Sequence, residues 1–200
     1  MYTLISGSPK PIDSNSMYFL KVISSYLNDF EIFELKKEKY ESIVESITKS
    51  DTLILAFPLY VDSPTSITLS FLDYIFDQKI DLNNKKLYVV INCGFREGEQ
   101  NLTALKIMKQ WCKKVNAVYN GSILIGAGEI VGKEKYRVVS KKALKKLNEF
   151  ADKIRIKKEN QNIITTMDYL NNQVYCCLAN LSWTKRGKIN NLSIDNIRIK

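Results

Sequence analysis

The chain has no histidine among its 200 residues. That absence excludes Ser-His-Asp and Cys-His nucleophilic catalysis and every metal site built on imidazole. Chemistry is left to carboxylates, lysine, tyrosine, cysteine or a bound cofactor. Cysteine is scarce as well. Cys93, Cys112, Cys176 and Cys177 have neither zinc-type nor C-x-x-C spacing, which fits reduced thiols in a cytosol. Cys112 and Met108 read as core filler, and the adjacent Cys176 and Cys177 as helix packing. No apolar run reaches the roughly 18 residues that a bilayer span needs, and the N-terminus enters an apolar strand almost at once, so neither a membrane span nor an export signal is expected. Repeats and low-complexity segments are also missing.

What is present suits one compact domain over residues 1–200, with 45% hydrophobic content and room for a core without disulfides. The net charge of +9 is uneven: residues 1–128 carry 14 basic and 14 acidic side chains, and residues 129–200 carry 16 and 7. Because 25 of the 30 basic residues are lysine, the excess reads as a solvated face rather than a surface for nucleic acid or membrane.

Along the chain, apolar runs alternate with helical periodicity. Strands are expected at Tyr2–Ser6, Phe30–Leu35, Thr52–Phe57, Leu87–Asn92 and Tyr119–Ile125. Between and after them, helices are marked by Leu20, Ile23 and Leu27; by Tyr40, Ile43, Val44 and Ile47; by Phe71, Leu72, Ile75 and Phe76; by Leu102, Leu105, Met108, Cys112 and Val115; and by Leu144, Leu147, Ala151 and Ile154. This alternation predicts an α/β protein with a doubly wound five-stranded parallel sheet in the order 2-1-3-4-5, whose ligands bind where strands one and three diverge. The core is expected to cover about residues 1–157. A helical extension follows over about 158–200, with a helix at Asp168–Leu181.

Three loops leave the strands at that end. The first, Gly7 to Ser16, is rich in small polar residues and opens a helix, where unpaired N–H groups and a partial positive charge favour a phosphate. Lys10 adds a full charge. The same residues could simply form a tight turn with Ser14 or Asn15 as the helix cap. Neither G-x-G-x-x-G nor a nucleoside triphosphate loop is present. The second loop follows Phe57. Pro58 ends the strand, and Leu59, Tyr60 and Val61 project beyond it or form its rim. In the third, Gly94 permits close backbone approach and Phe95 offers a ring face, while Arg96 and Glu99 could form a surface pair.

The first two loops resemble those of the flavodoxin-like NAD(P)H-dependent FMN reductases. Gly7-Ser8-Pro9-Lys10 with Asn15-Ser16 is similar to that family's G-S-P-R-x-x-x-x-N-S/T, with Lys10 in place of arginine. Pro58-Leu59-Tyr60 and Phe71-Leu72-Asp73 resemble its P-L-Y and F-L-D segments, and Trp183 with Gly187 resembles a closing segment of some relatives. The resemblance implies a flavodoxin-like fold and an FMN-dependent oxidoreductase that takes hydride from NADH or NADPH and reduces a small-molecule acceptor such as a quinone or nitro-compound. It implies that Ser8, Lys10, Ser14, Asn15 and Ser16 hold the FMN phosphate. Pro58, Leu59, Tyr60 and Val61 would lie against the ring, with Cys93, Gly94 and Phe95 on its other side. No side chain need act as an obligatory acid, because the flavin carries the chemistry. A cytoplasmic homodimer is expected. An electron carrier, or a binding protein that has lost FMN, are the alternatives.

Overall fold

The computed structural model describes residues 1–10, 12–133, 136–159, 161–168 and 171–192. Six strands form one parallel sheet in the order β2-β1-β3-β4-β5-β6. They are β1 (Tyr2–Ser6), β2 (Phe30–Glu34), β3 (Thr52–Pro58), β4 (Lys86–Asn92), β5 (Val118–Ile125) and β6 (Ile163–Thr165). The helices are α1 (Asn15–Ser24), α2 (Tyr40–Lys49), α3 (Ser66–Asp77), α4 (Leu102–Lys114), α5 (Gly128–Val131), α6 (Arg137–Arg155) and α7 (Asn172–Ile189). The doubly wound order is as expected over its first five strands.

The sixth strand corrects the expectation that only a helical extension follows the core. Ile163, Ile164 and Thr165 pair in parallel with Ile123, Leu124 and Ile125. Three residues are too few for a periodic pattern to show in the sequence.

Side-chain alternation sorts the central strands between two cores. On β3, Leu53, Leu55 and Phe57 join α2, α3 and α4, while Ile54 and Ala56 join α1 and α6. On β4, Leu87, Val89 and Ile91 join the first layer, and Tyr88 and Val90 the second. Burial on both faces explains why these strands read as unbroken apolar runs. By the same parity Ser6 and Asn92, at the strand ends, fall on the α1 side. Met108 and Cys112 are buried in the first core, as expected.

Residues Met1–Met167 form one compact unit and Asp168–Lys200 a second. Within the second, α7 is capped by Asn171, whose Oδ1 accepts from the Val174 N–H at 2.9 Å. It starts later and runs further than the sequence suggested, and it contains Trp183 and Gly187. Cys176 and Cys177 are exposed on it, against the expectation that they pack. Among the described residues no helix is long and apolar enough to cross a membrane, and no cluster of Cys, Asp or Glu could hold a metal ion.

Candidate functional site

The first loop begins at Gly7, which is required by crowding. A Cβ there would lie 2.0 Å from Thr68 Oγ1 and 3.2 Å from the Phe57 Cβ. The Gly7 N–H donates to the Ala56 carbonyl at 2.8 Å. Its carbonyl accepts from Thr65 Oγ1 at 2.6 Å and Thr68 Oγ1 at 3.2 Å. Both threonines are buried at the start of α3. The loop after β1 is thus fastened to the loop and helix after β3.

Ser8 is only 4% exposed, and its Oγ accepts from the Lys10 N–H at 3.3 Å. Lys10 Nζ donates to the Asp13 carbonyl at 3.2 Å, closing the loop on itself. Pro11 lies outside the described residues. Ser14, not Asn15, is the helix cap: its Oγ accepts from the Met17 N–H at 3.1 Å and its carbonyl from the Tyr18 N–H at 3.0 Å. Those two bonds leave the Asn15 and Ser16 N–H groups at the helix start with no partner among the described residues. A cap and an anion cradle therefore coexist here, using different amides.

Ser16 is buried and tied to the end of β4. Asn92 Nδ2 donates to Ser16 Oγ at 3.2 Å and to the Phe57 carbonyl at 3.1 Å. Asn92 is 3% exposed, and its Oδ1 lies where a Cβ on Gly128 would come within 2.8 Å. One amide thereby joins α1, β3 and β4 beneath the cradle. Asn92 is not among the residues expected at the site, and its one signal in the sequence is a polar residue ending an apolar strand on the face toward α1.

Beyond β3 the expected ring ledge is divided. The Leu59 N–H donates to the Asn92 carbonyl at 2.7 Å, and its side chain sinks into the core at 9% exposure. Tyr60 is exposed instead. It exchanges backbone hydrogen bonds of 3.0 and 3.1 Å with Ser63 across a two-residue turn. The two turn residues, Val61 and Asp62, have φ of 48° and 58°. This is the left-handed pair that such turns require, and a β-branched residue adopts it only at a cost of about 1–3 kcal/mol. Val61 stands at the tip, 98% exposed.

The third loop holds Cys93 inward. Its N–H donates to the Ile125 carbonyl at 3.0 Å and its carbonyl accepts from the Gly128 N–H at 2.8 Å. Its thiol meets the Glu97 carbonyl at 3.5 Å and accepts from Asn101 Nδ2 at 3.4 Å. Burial pushes the thiol pKa up to about 11. Cys93 is therefore a strut of the loop, with side chain and backbone committed within the protein. A Cβ on Gly94 would meet nothing within 4 Å, so space above it is open, and Phe95 is exposed beside it. Arg96 pairs with Glu97 at 2.9 Å rather than with Glu99, whose Oε2 accepts from Thr166 Oγ1 at 3.1 Å.

A cavity of about 780 Å³ adjoins the cradle. It shares Lys10, Ser14 and Asn15 with it and is lined further by Tyr18, Lys21, Glu34, Lys37 and Lys133. Burial alone would raise the Glu34 carboxyl, but hydrogen bonds and charge from Lys37 and Lys36 outweigh it and hold the group below its ordinary value. The ion pairs are 2.5 and 3.1 Å long.

No family model matches the sequence. No curated protein matches it either. Solved structures do resemble it. The Trp repressor binding protein from Bacillus subtilis superposes with a TM-score of 0.63 at 18% identity, covering 74% of this chain and 96% of its own. An NADH:FMN oxidoreductase in its apo form gives 0.58 at 17% identity over 78% and 89%. A flavodoxin from Streptococcus pneumonia TIGR4 gives 0.57 at 15% identity over 78% and 99%. These three names describe different activities on one architecture, so the likeness speaks to architecture alone. With its sheet order and the three loops at the carboxyl ends of β1, β3 and β4, the chain has the flavodoxin-like fold.

Proposed function

We propose that the protein is an FMN-dependent oxidoreductase that transfers reducing equivalents from NADH or NADPH to a small acceptor such as a quinone or nitro-compound. The observation that carries this reading is the fastening of Gly7 to Thr65 and Thr68. It sets unpaired helix amides and the buried Ser8 hydroxyl beside a loop that exposes a tyrosine ring. A phosphomonoester joined to a flat ring system needs these two features side by side.

Bound FMN would supply the redox chemistry. The chain's own residues bind and orient. Asn15, Ser16 and Ser8 would hold the phosphate with Lys10 nearby, and Asn92 would fix Ser16 from below. Tyr60 and Phe95 would flank the ring, with the open space above Gly94 between loops. Leu59 and Cys93 would act from underneath by holding the two loops in place. A homodimer in the cytosol is the assembly this reading expects.

The carrier reading is less well supported, since a carrier that docks on basic partners is expected to be acidic and this chain has a net charge of +9. The test is the visible absorption spectrum of the purified protein, followed by titration of the flavin-free form with FMN. Flavin bands and tight binding are expected, with steady oxidation of NADH or NADPH by the isolated protein when a quinone is added. Failure to bind FMN refutes the reading, and binding without nicotinamide oxidation replaces the enzyme with a carrier.

A further inference from the structure

The part of the cavity that lies beyond the cradle is not used by the function proposed above. The cavity shares Lys10, Ser14 and Asn15 with the cradle but none of Pro58, Leu59, Tyr60, Gly94 or Phe95, so it opens away from the ring side. Its charge is unbalanced. Four lysines line it, against Asp13 and Glu34, and Glu34 is already paired with Lys36 and Lys37. Among the described residues the Lys21 and Lys133 ammonium groups form no ion pair. The volume of about 780 Å³ far exceeds the needs of one phosphate and suits a ligand the size of a nucleotide. Tyr18 and Ile12 add apolar surface of the kind a purine covers. One wall is fixed, because Gly132 lies so close to Asn15 that a Cβ would come within 2.6 Å of its Oδ1.

We propose that this cavity is a second phosphate-recognition site that takes the adenosine phosphate end of a dinucleotide. The inference rests on the reading of the cradle as a flavin phosphate site, since it is from there that the second site continues. Two molecules carry this chemistry. One is FAD, whose adenylate would leave the cradle through the cavity. The other is a hydride donor phosphorylated on its adenosine ribose, which would make the protein select NADPH over NADH.

The experiment compares the wild type with the double charge reversal Lys21→Glu/Lys133→Glu, both positions lying outside the cradle, with circular dichroism to verify folding. FMN and FAD are titrated by flavin fluorescence, and 2′,5′-ADP is titrated calorimetrically into FMN-saturated protein. If FAD is the source, it binds at least about tenfold more tightly than FMN, the scale of one charge-assisted contact, and the double variant erases that advantage without weakening FMN. If the donor is the source, the two flavins bind alike, 2′,5′-ADP binds, and the variant weakens it about tenfold. Equal flavin affinities without 2′,5′-ADP binding overturn the proposal, as does indifference of both measurements to the variant. Should neither flavin bind, the functional reading fails separately. The titration of 2′,5′-ADP into flavin-free wild type and variant then decides the cavity by the same criterion.

Discussion

Replacing Asn92 with leucine tests the joint beneath the cradle. Leucine has a similar volume but neither donor, so Ser16 Oγ and the Phe57 carbonyl lose bonds of 3.2 and 3.1 Å in a place that water does not reach. Two buried bonds lost cost about 1–3 kcal/mol. For a chain of this size that corresponds to a fall in Tm of roughly 2–12 °C. Urea denaturation followed by far-UV circular dichroism measures the loss, and a Ser16→Ala variant completes a double-mutant cycle. If Asn92 acts through Ser16, Ser16→Ala costs less by about 1 kcal/mol in the leucine background than in the wild type. FMN affinity falls in the leucine variant too, because the start of α1 loses its tether to the sheet. Costs that add within about 0.5 kcal/mol would refute the coupling and leave Asn92 an ordinary buried amide.

The remaining predictions concern other parts of the chain. Gly98→Ala places a Cβ 2.4 Å from the Thr165 carbonyl and 2.7 Å from that of Leu124, both backbone atoms. It should cost about 1–3 kcal/mol and speed amide exchange at Ile163–Thr165, whereas unchanged exchange there would show that β6 tolerates the intrusion. Iodoacetamide at mildly alkaline pH should label exposed Cys176 and Cys177 in the folded protein, and all four cysteines only in denaturant. Burial puts Cys93 near 11 and Cys112 near 12, so both stay protonated thiols, and fast labelling of Cys93 would contradict its inward placement. Glu34 titrates below its ordinary value of 4.5 in the folded state, so it adds stability above that pH and loses it as the pH falls through the folded pKa. Glu34→Gln should therefore be less stable than wild type at neutral pH, with the two denaturation midpoints converging in acid; parallel curves would show that the lysine pairs contribute nothing.

Strand order and the two-layer core were legible because β3 and β4 are buried on both faces and advertise this as continuous apolar sequence. Loop positions followed from that order. What the sequence could not show was direction. Leu59 and Tyr60 are neighbours of similar bulk, yet one closes the core and the other faces solvent, because the Val61-Asp62 turn begins between them. Cys93 looked like a loop residue free to meet a ligand, but its thiol, N–H and carbonyl all have partners from β5, α5 and the turn at Gly98–Asn101. Ser14 and Asn15 were interchangeable as caps in the sequence, and the choice rests on the single bond from Met17. Asn92 drew no attention because its partners lie on segments far away in the chain. Arg96 pairs with Glu97, its neighbour in sequence, while Glu99 meets Thr166, a residue from beyond the expected core.

The shortness of β6 bears on how the protein meets copies of itself. Pairing with β5 stops after three residues, which would leave the lower half of β5 as an open backbone edge. Side chains occupy that stretch instead. Tyr119 donates its hydroxyl to Asn162 Oδ1 at 2.6 Å, Ser122 donates to the same oxygen at 3.2 Å, and Asn120 Nδ2 donates to the Lys158 carbonyl at 3.4 Å. A strand from another molecule would have to strip these bonds before it could add to the sheet, so this border resists templated aggregation. Among the described residues no strand pairs with the outer side of β2, the opposite border. There the exposed carboxylate of Glu31, rather than a bonded neighbour, opposes edge-to-edge growth.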